Sequence, residues 1–277
     1  MIPAPFEYCR PTSVEEALGM LGEGGEDAKL LAGGHSLLPL MKLRLAAPSL
    51  LVDIGRLREL SYVRDAGDAL RIGALTRHRD VETDPLVAEH APLLAHVAGQ
   101  VGDPQVRHRG TIGGSIAHGD PASDLPAAAL ALGATFEVVG PGGSKRSIAA
   151  GDFFQGFLET SLAPGEILTE IVVPKATGAG WSFQKFNRRA QDWAIVGVAA
   201  VRNGSTGIGL VNMGSVPLRA TAVEEALAGG ASVEEAAAHA ADGLAPPADL
   251  NASPEYRAHL ARVLVRRALE EASSRHG

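Results

Sequence analysis

Two glycine-rich turns, each with a hydroxyl residue beside it, constrain this chain more than any other feature. The first lies in residues 31–39 (LAGGHSLLP), and the second in 110–115 (GTIGGS), followed by 120–125 (DPASDL). Glycine lets the backbone turn tightly and approach a ligand closely, and successive N–H groups in such a turn form an anion cradle. Two such turns with a carboxylate downstream indicate a dinucleotide held at its pyrophosphate and sugar.

The first turn offers a run of backbone N–H groups to phosphate oxygens, and the hydroxyl of Ser36 adds another donor. The groups concerned belong to Gly33, Gly34, His35 and Ser36. The second turn makes the same offer through Thr111, Gly113, Gly114 and Ser115. An ordinary glycine turn is the alternative interpretation of each, so the argument depends on the two turns occurring together.

Asp124 lies nine residues beyond Ser115. A carboxylate accepts two hydrogen bonds from a ribose diol, as the acidic residue of Rossmann proteins does. The alternative is a helix N-cap, a position that aspartate favours. The two roles are compatible, and both remain open for Asp124.

Other site classes lack their signatures. No Gly-x-Gly-x-x-Gly with a later acidic residue and no Walker A lysine is present, so neither a Rossmann nor a P-loop nucleotide site is expected. His35 and His118 lack helical metal-ligand spacing, and no nucleophile elbow accompanies a serine. We therefore predict no serine nucleophile and no metal ligand.

Charge and cysteine content exclude further classes. The net charge of −7 argues against a nucleic-acid partner, and the cluster 107–109 (RHR) is interpreted as a solvated face. The single cysteine, Cys9, cannot hold an iron–sulfur cluster or a structural zinc, and it is compatible with a reducing cytoplasm. No apolar run approaches the roughly 20 residues of a membrane span, and the N-terminus does not resemble a signal peptide.

The hydrophobic pattern and the turn signals divide the chain into three units. Residues 1–55 are predicted to form a βαβ-like unit and residues 56–175 a larger α+β unit. Residues 176–277 are predicted to form three antiparallel strands followed by helices rich in Ala and Glu. The predicted class is α+β.

Longer motifs identify the chain as similar to a known family. The two turn segments, residues 32–39 and 111–117, resemble the FAD-binding loops of the medium subunit of molybdenum hydroxylases, the carbon monoxide dehydrogenase and xanthine dehydrogenase family. Further similarity lies in 120–126 (DPASDLP), 165–168 (GEIL) and 185–194 (KFNRRAQDWA). The resemblance covers essentially the whole chain, in the same order.

The resemblance implies FAD as the cofactor and a two-subdomain FAD-binding fold of the vanillyl-alcohol oxidase type, followed by a C-terminal α+β domain. It implies that the diphosphate lies on the two turns, that Asp124 holds the adenosine ribose, and that Lys185 lies near the isoalloxazine ring. There a cation would stabilise charge on the reduced ring. Trp193 is a further neighbour of the ring. The implied FAD-binding residues are Ala32, Gly33, Gly34, His35, Ser36, Leu37, Thr111, Ile112, Gly113, Gly114, Ser115, Ala117, Asp124, Ile167, Leu168 and Lys185.

The resemblance also implies an electron-transfer subunit in a paired heterotrimer. A large molybdopterin subunit would oxidise the substrate, a small iron–sulfur subunit would relay electrons to FAD, and the reduced FAD would serve an external acceptor. A self-contained FAD-dependent oxidoreductase of the same fold is the first alternative. A binding or assembly protein that has lost its flavin is the second.

Overall fold

Three β-sheets, a short hairpin and the helices packed on them make up the fold, which the computed structural model describes for residues 2–275. The sheets are built from successive parts of the chain, with helices on their faces, as the predicted α+β class requires. None of the helices in this range is long and apolar enough to cross a membrane.

The first sheet is parallel, with β3 between β1 and β2. Its elements are β1 (Glu7–Cys9), α1 (Val14–Gly24), β2 (Ala28–Leu31), α2 (Leu37–Lys42) and β3 (Leu50–Asp53). Helix α1 begins where the Ser13 side chain accepts the N–H of Glu16, and it buries Ala17, Leu18 and Leu21 against the sheet. Strand β2 runs directly into the first glycine turn, which therefore lies at the carboxyl edge of this sheet.

The second sheet is antiparallel and has the strand order β4-β5-β10-β6-β7, with a separate hairpin formed by β8 and β9. Its strands and the hairpin are β4 (Val63–Asp65), β5 (Ala69–Gly73), β6 (Thr135–Val139), β7 (Lys145–Ala149), β8 (Phe154–Gly156), β9 (Glu159–Thr160) and β10 (Ile167–Pro174). Strand β10 comes last in this part of the chain and pairs with both β5 and β6. It therefore joins the β4–β5 pair to the β6–β7 pair in one sheet.

Six helices connect β5 to β6, and a seventh, α9 (Ala150–Phe153), follows β7. The six are α3 (His78–Thr83), α4 (Pro85–His90), α5 (Pro92–Gly99), α6 (Pro104–Arg109), α7 (Ile112–His118) and α8 (Asp124–Ala131). Caps separate these short helices: Asp84 and Asp103 accept backbone N–H groups at the starts of α4 and α6. Helix α8 is buried along its whole length, which makes it the centre of this layer.

The third sheet has four antiparallel strands, one more than the three predicted from the sequence. The strands are β11 (Gly180–Phe186), β12 (Val196–Asn203), β13 (Ser205–Val211) and β14 (Leu218–Arg219), and the helices are α10 (Thr221–Ala228), α11 (Val233–Ala237) and α12 (Pro254–Arg275). Strand β14 was missed because two residues are too few to show an alternating pattern.

Helix α8 packs directly on the third sheet through two glycines of β13. A methyl group on Gly207 would lie 2.0 Å from the carbonyl oxygen of Ala131, and one on Gly209 would lie 1.9 Å from that of Ala127. No side chain fits in this contact, so glycine is required at both positions. The contact fixes the third sheet against the helix whose first residue is Asp124.

Candidate functional site

Both glycine turns face one cleft, with a volume of about 1050 Å³. It lies where the first sheet, helix α7 and strand β11 come together, and its lining includes Gly34, Gly114 and Lys185. Cofactor sites are usually concave, with volumes of roughly 300–1,000 Å³, so this cleft has the capacity for a large cofactor.

The two turns touch each other at the cleft wall. A methyl group on Gly33 would lie 2.4 Å from the carbonyl oxygen of Arg109 and 2.9 Å from Cα of Gly110. Gly34 has a φ of +81°, a conformation that side chains disfavour. Glycine at these two positions therefore allows the close approach of one turn to the other as well as the turn itself.

The first turn keeps its backbone donors free. Within residues 2–275, no acceptor is paired with the N–H groups of Gly33, Gly34, His35 or Ser36. Ser36 and His35 are exposed, and all four residues line the cleft. Consecutive unpaired N–H groups facing a cleft are suited to binding an anion, as the sequence predicted.

The second turn differs from the first, because the N–H groups of Gly113, Gly114 and Ser115 are already paired within the protein. The N–H of Gly113 donates to the carbonyl of Ala74 at 2.9 Å, and that of Gly114 donates to Thr111 Oγ1 at 3.1 Å. The N–H of Ser115 donates to the carbonyl of Thr111 at 3.0 Å. Thr111 is the N-cap of α7, so its hydroxyl supports the helix. The second turn thus forms a wall of the cleft, while the open cradle is the first turn.

Nearly all the residues predicted to bind FAD line the cleft; Ile112 and Ile167 are the exceptions. Ile112 is 1% exposed and packs in the main core on the same face of α7 as Ile116. Ile167 is also 1% exposed, and it packs against the first sheet. Its neighbour Leu168 lines the cleft, because successive residues of a strand face opposite sides.

A buried ion pair joins the two charged residues of the prediction. Lys185 Nζ donates to Asp124 Oδ2 at 2.6 Å and to the carbonyl of Gln100 at 3.1 Å. The side chains of Lys185 and Asp124 are 9% and 7% exposed, and both residues line the cleft. Burial raises the pKa of the Asp124 carboxyl, and the neighbouring ammonium opposes the rise. Asp124 Oδ1 is buried and has no hydrogen-bond partner within residues 2–275.

This contact bears on the roles predicted for the pair. The sequence analysis assigned Asp124 to the adenosine ribose and Lys185 to the isoalloxazine ring, which lie at opposite ends of FAD. The structure brings the two side chains to within 2.6 Å of each other, so both lie in the same part of the cleft wall.

Sequence reasoning missed one cleft residue with unusual surroundings, His78. Its side chain lies among those lining the cleft, yet the residue is only 5% exposed. Burial, assisted by the charges of His35, Arg77 and Arg107, lowers its pKa to about 4. A single histidine after a strand carries no motif, so only its position in the fold draws attention to it.

The cleft also contains Trp193, which the resemblance places near the ring, and His118, to which the sequence analysis gave no role. Trp193 is 60% exposed and is shared with a smaller neighbouring cavity of about 310 Å³. Burial lowers the pKa of His118. Within the described part of the chain, no group of three or more His, Cys, Asp or Glu side chains is arranged to hold a metal ion.

Two protein-family models match the chain. The first, described as "FAD binding domain in molybdopterin dehydrogenase", covers residues 4–176. The second, described as "CO dehydrogenase flavoprotein C-terminal domain", covers residues 181–272. The first match alone includes both glycine turns and more than half of the chain.

Known proteins resemble the chain over almost its full length. The carbon monoxide dehydrogenase medium chain of Hydrogenophaga pseudoflava is 45% identical, over 99% of each chain. The glyceraldehyde dehydrogenase medium chain of Sulfolobus acidocaldarius is 39% identical, over 98% of this chain and 99% of that protein. A solved structure of carbon monoxide dehydrogenase from H. pseudoflava, lacking the Mo-pyranopterin moiety, matches with a TM-score of 0.95 and 46% identity, over 99% of each chain.

Proposed function

The chain belongs to the FAD-binding subunits of the molybdopterin dehydrogenases, and from this premise we propose that it is the FAD-carrying electron-transfer subunit of a molybdenum hydroxylase complex. The observation that carries the proposal is the first turn, where Gly33, Gly34, His35 and Ser36 present unpaired N–H groups to a cleft of about 1050 Å³. These donors fit the oxygens of a diphosphate.

The other walls of the cleft fit the remaining parts of FAD. Leu168 and the exposed ring of Trp193 offer apolar and aromatic surface for the isoalloxazine. Lys185 lies on β11, and Trp193 lies in the segment that connects β11 to β12. We therefore assign the Lys185–Asp124 pair to the ring end of the cofactor. There the carboxylate of Asp124, which lines the cleft, would accept from a ribityl hydroxyl rather than from the adenosine ribose.

When bound, FAD supplies a ring that takes up and releases electrons singly or in pairs. The protein's own contribution is to hold that ring and to set its electrostatics. The Lys185 ammonium places a positive charge in a nearly water-free wall, where it acts more strongly than in solvent. No residue is assigned as a general acid or base.

Partner subunits follow from what the chain does not contain. Its sequence has one cysteine, whereas an iron–sulfur cluster is held by about four thiolates. We therefore propose that electrons reach this subunit from a separate iron–sulfur subunit, and that a molybdopterin subunit oxidises the substrate. The relatives are named for carbon monoxide and glyceraldehyde, so this subunit leaves the substrate of its complex open.

We propose a cytoplasmic location and three working units, residues 1–55, 56–175 and 176–277. A free Cys9 thiol suits a reducing compartment. A separate sheet in each range supports the division. Leu60 and Ile167 of the middle range nevertheless pack in the same hydrophobic core as α1 and the first sheet. Cell fractionation tests the location, and limited proteolysis at the proposed boundaries tests the units.

The visible absorption spectrum of the purified full-length chain, alone and assembled with its partner subunits, tests the function. We expect about one FAD per chain in the complex, identified by mass after release, and no binding of FMN, which lacks the adenylate half. We expect substrate turnover by the complex and none by this chain alone. An isolated chain that stays colourless when FAD is added, together with a complex that releases no FAD, would contradict flavin binding. Turnover by the isolated chain would favour the self-contained oxidoreductase.

A further inference from the structure

His78 lies where the two glycine turns meet. It is the first residue of α3, and its N–H donates to the carbonyl of Gly110 at 3.0 Å. Gly110 leads into the second turn, and its Cα also lies close to Gly33 of the first. The backbone of His78 is thus fixed at the junction of the turns, and its side chain is part of the cleft lining.

The two ring nitrogens of His78 have different surroundings, and only Nδ1 is fully buried without a hydrogen-bond partner within residues 2–275. Nε2 lies beside Gly110, where a methyl group on Cα would approach it to 2.5 Å. Because Nδ1 is enclosed, Nε2 is the ring nitrogen through which this lining residue can reach a ligand.

The surroundings determine which nitrogen carries the proton. A neutral imidazole has one N–H donor and one acceptor, and a buried N–H without a partner is rarer in proteins than a buried unpaired acceptor. The proton of the neutral ring therefore belongs on Nε2. That tautomer presents a donor to the cleft and leaves the lone pair of Nδ1 inside.

Burial keeps the ring of His78 neutral by lowering its pKa, and the charged groups around it act in the same direction. His35 of the first turn, Arg77 of the preceding residue and Arg107 of α6 all oppose a further positive charge there. Acidic groups in this region form ion pairs with the arginines and not with His78: Glu82 Oε2 lies 3.1 Å from Arg107 Nε. Asp80 and Asp53 act on Arg77. The junction is thus a cationic region with an uncharged donor in its wall, which favours an anionic ligand.

We propose that His78 binds the FAD diphosphate as a neutral donor through Nε2–H, next to the free N–H groups of the first turn. This inference rests on the proposed function, because it names a further residue that recognises the same cofactor. It extends the anion site from one backbone turn to the side chain that supports the junction of both turns.

The test compares FAD affinity, by fluorescence quenching at pH 7.5, for the full-length parent chain and two variants. His78→Leu removes the donor, and we expect its dissociation constant to rise about ten- to hundredfold, the usual loss for a hydrogen bond to a charged group. His78→Gln keeps an N–H donor at similar reach, and we expect it to recover most of the affinity. His90→Leu is the control, because His90 is partly buried outside the cleft.

A second measurement uses the parent chain and needs no variant. The ¹⁵N chemical shifts of the His78 ring report the tautomer, and we expect Nε2–H in the absence of FAD and a shifted Nε2 resonance in its presence. Unchanged FAD affinity in His78→Leu, or a proton on Nδ1, would overturn the inference while leaving FAD binding intact. Failure of the parent chain to bind FAD, alone and in its complex, would instead refute the proposed function and with it this inference.

Discussion

At the scale of single residues, His78 links cofactor binding to the stability of the flavin-free protein. Its buried ring is neutral in the folded chain, with a pKa of about 4, whereas an unfolded histidine has a pKa of about 6.5. A lowered folded-state pKa means that the unfolded chain binds the proton more readily. The stabilisation is therefore complete above pH 6.5 and is lost as the pH falls towards 4.

We expect the free energy of unfolding of the flavin-free chain to fall by about 3 kcal/mol between pH 7 and pH 4 through His78 alone. In His78→Gln, which has no titrating ring, that part of the pH dependence should disappear. Urea unfolding at a series of pH values, in parent and variant, measures the difference. Identical pH profiles for the two chains would show that His78 titrates normally.

The buried pair of Asp124 and Lys185 makes a second residue-scale prediction. Asp124→Ala leaves the Lys185 ammonium buried without its partner, so we expect a loss of about 3–5 kcal/mol in the free energy of unfolding. The double variant Asp124→Ala/Lys185→Met removes both charges and should regain part of that loss. Both variants should bind FAD more weakly than the parent, because both lose the carboxylate of Asp124 from the cleft wall.

Chemical denaturation and FAD titration of Asp124→Ala, Lys185→Met and the double variant complete this double-mutant cycle. FAD affinity equal to that of the parent in the double variant would reduce the pair to a structural role. Sequence alone indicated both residues but gave them to different ends of the cofactor. The contact between positions 61 residues apart depends on tertiary packing, which spacing along the chain does not encode.

At the scale of elements, the two glycine turns illustrate what a motif predicts and what it leaves open. Their compositions are alike, and both do line the cleft. Within residues 2–275, the first turn has four consecutive unpaired N–H groups, whereas those of Gly113, Gly114 and Ser115 in the second turn are paired by the Thr111 cap of α7 and by contact with Ala74. A methyl group on Gly113 would lie 2.5 Å from Cβ of Ala74, so this glycine serves packing. The partner of each N–H group is set by neighbouring strands and helices, which the motif itself does not contain.

Gly33→Ala tests the contact between the two turns. The added methyl group meets the carbonyl oxygen of Arg109 at 2.4 Å, a distance that forces the backbone apart. We expect a loss of about 1–3 kcal/mol in the free energy of unfolding and at least tenfold weaker FAD binding. Guanidinium unfolding measures the change in the free energy of unfolding, and fluorescence titration measures the change in FAD affinity.

Gly19→Ala is the matched control, since Gly19 is exposed in helix α1 with no heavy atom within 4 Å of the added methyl group. Alanine in a helix interior should stabilise the chain by about 0.5–1 kcal/mol and leave FAD binding unchanged. If Gly33→Ala behaved like this control, the close approach of the turns would have no part in forming the site.

At the scale of the whole molecule, helix α8 connects the cleft to the third sheet. It begins with Asp124 in the cleft wall and packs along its length on β13, while Lys185 comes from β11 of the same sheet. The distance between the two charged groups therefore depends on how closely α8 lies against that sheet. The Ala- and Leu-rich sequence predicted the helix, and the strand pattern predicted most of the sheet. Which face of one meets the other depends on Gly207 and Gly209, whose role becomes visible only in the folded chain.

Gly209→Ala tests this coupling from outside the cleft. The added methyl group would lie 1.9 Å from the carbonyl oxygen of Ala127, so α8 must move away from β13. We expect a loss of about 1–3 kcal/mol in the free energy of unfolding, together with weaker FAD binding, because the shift separates Asp124 from Lys185. Gly151→Ala, at an exposed position of α9 with no heavy atom within 4 Å of the added methyl group, should not lower the free energy of unfolding and should leave FAD binding unchanged. Thermal unfolding with and without FAD measures both effects. A destabilised Gly209→Ala that still binds FAD like the parent would mean that the two charged groups keep their geometry independently of α8 packing.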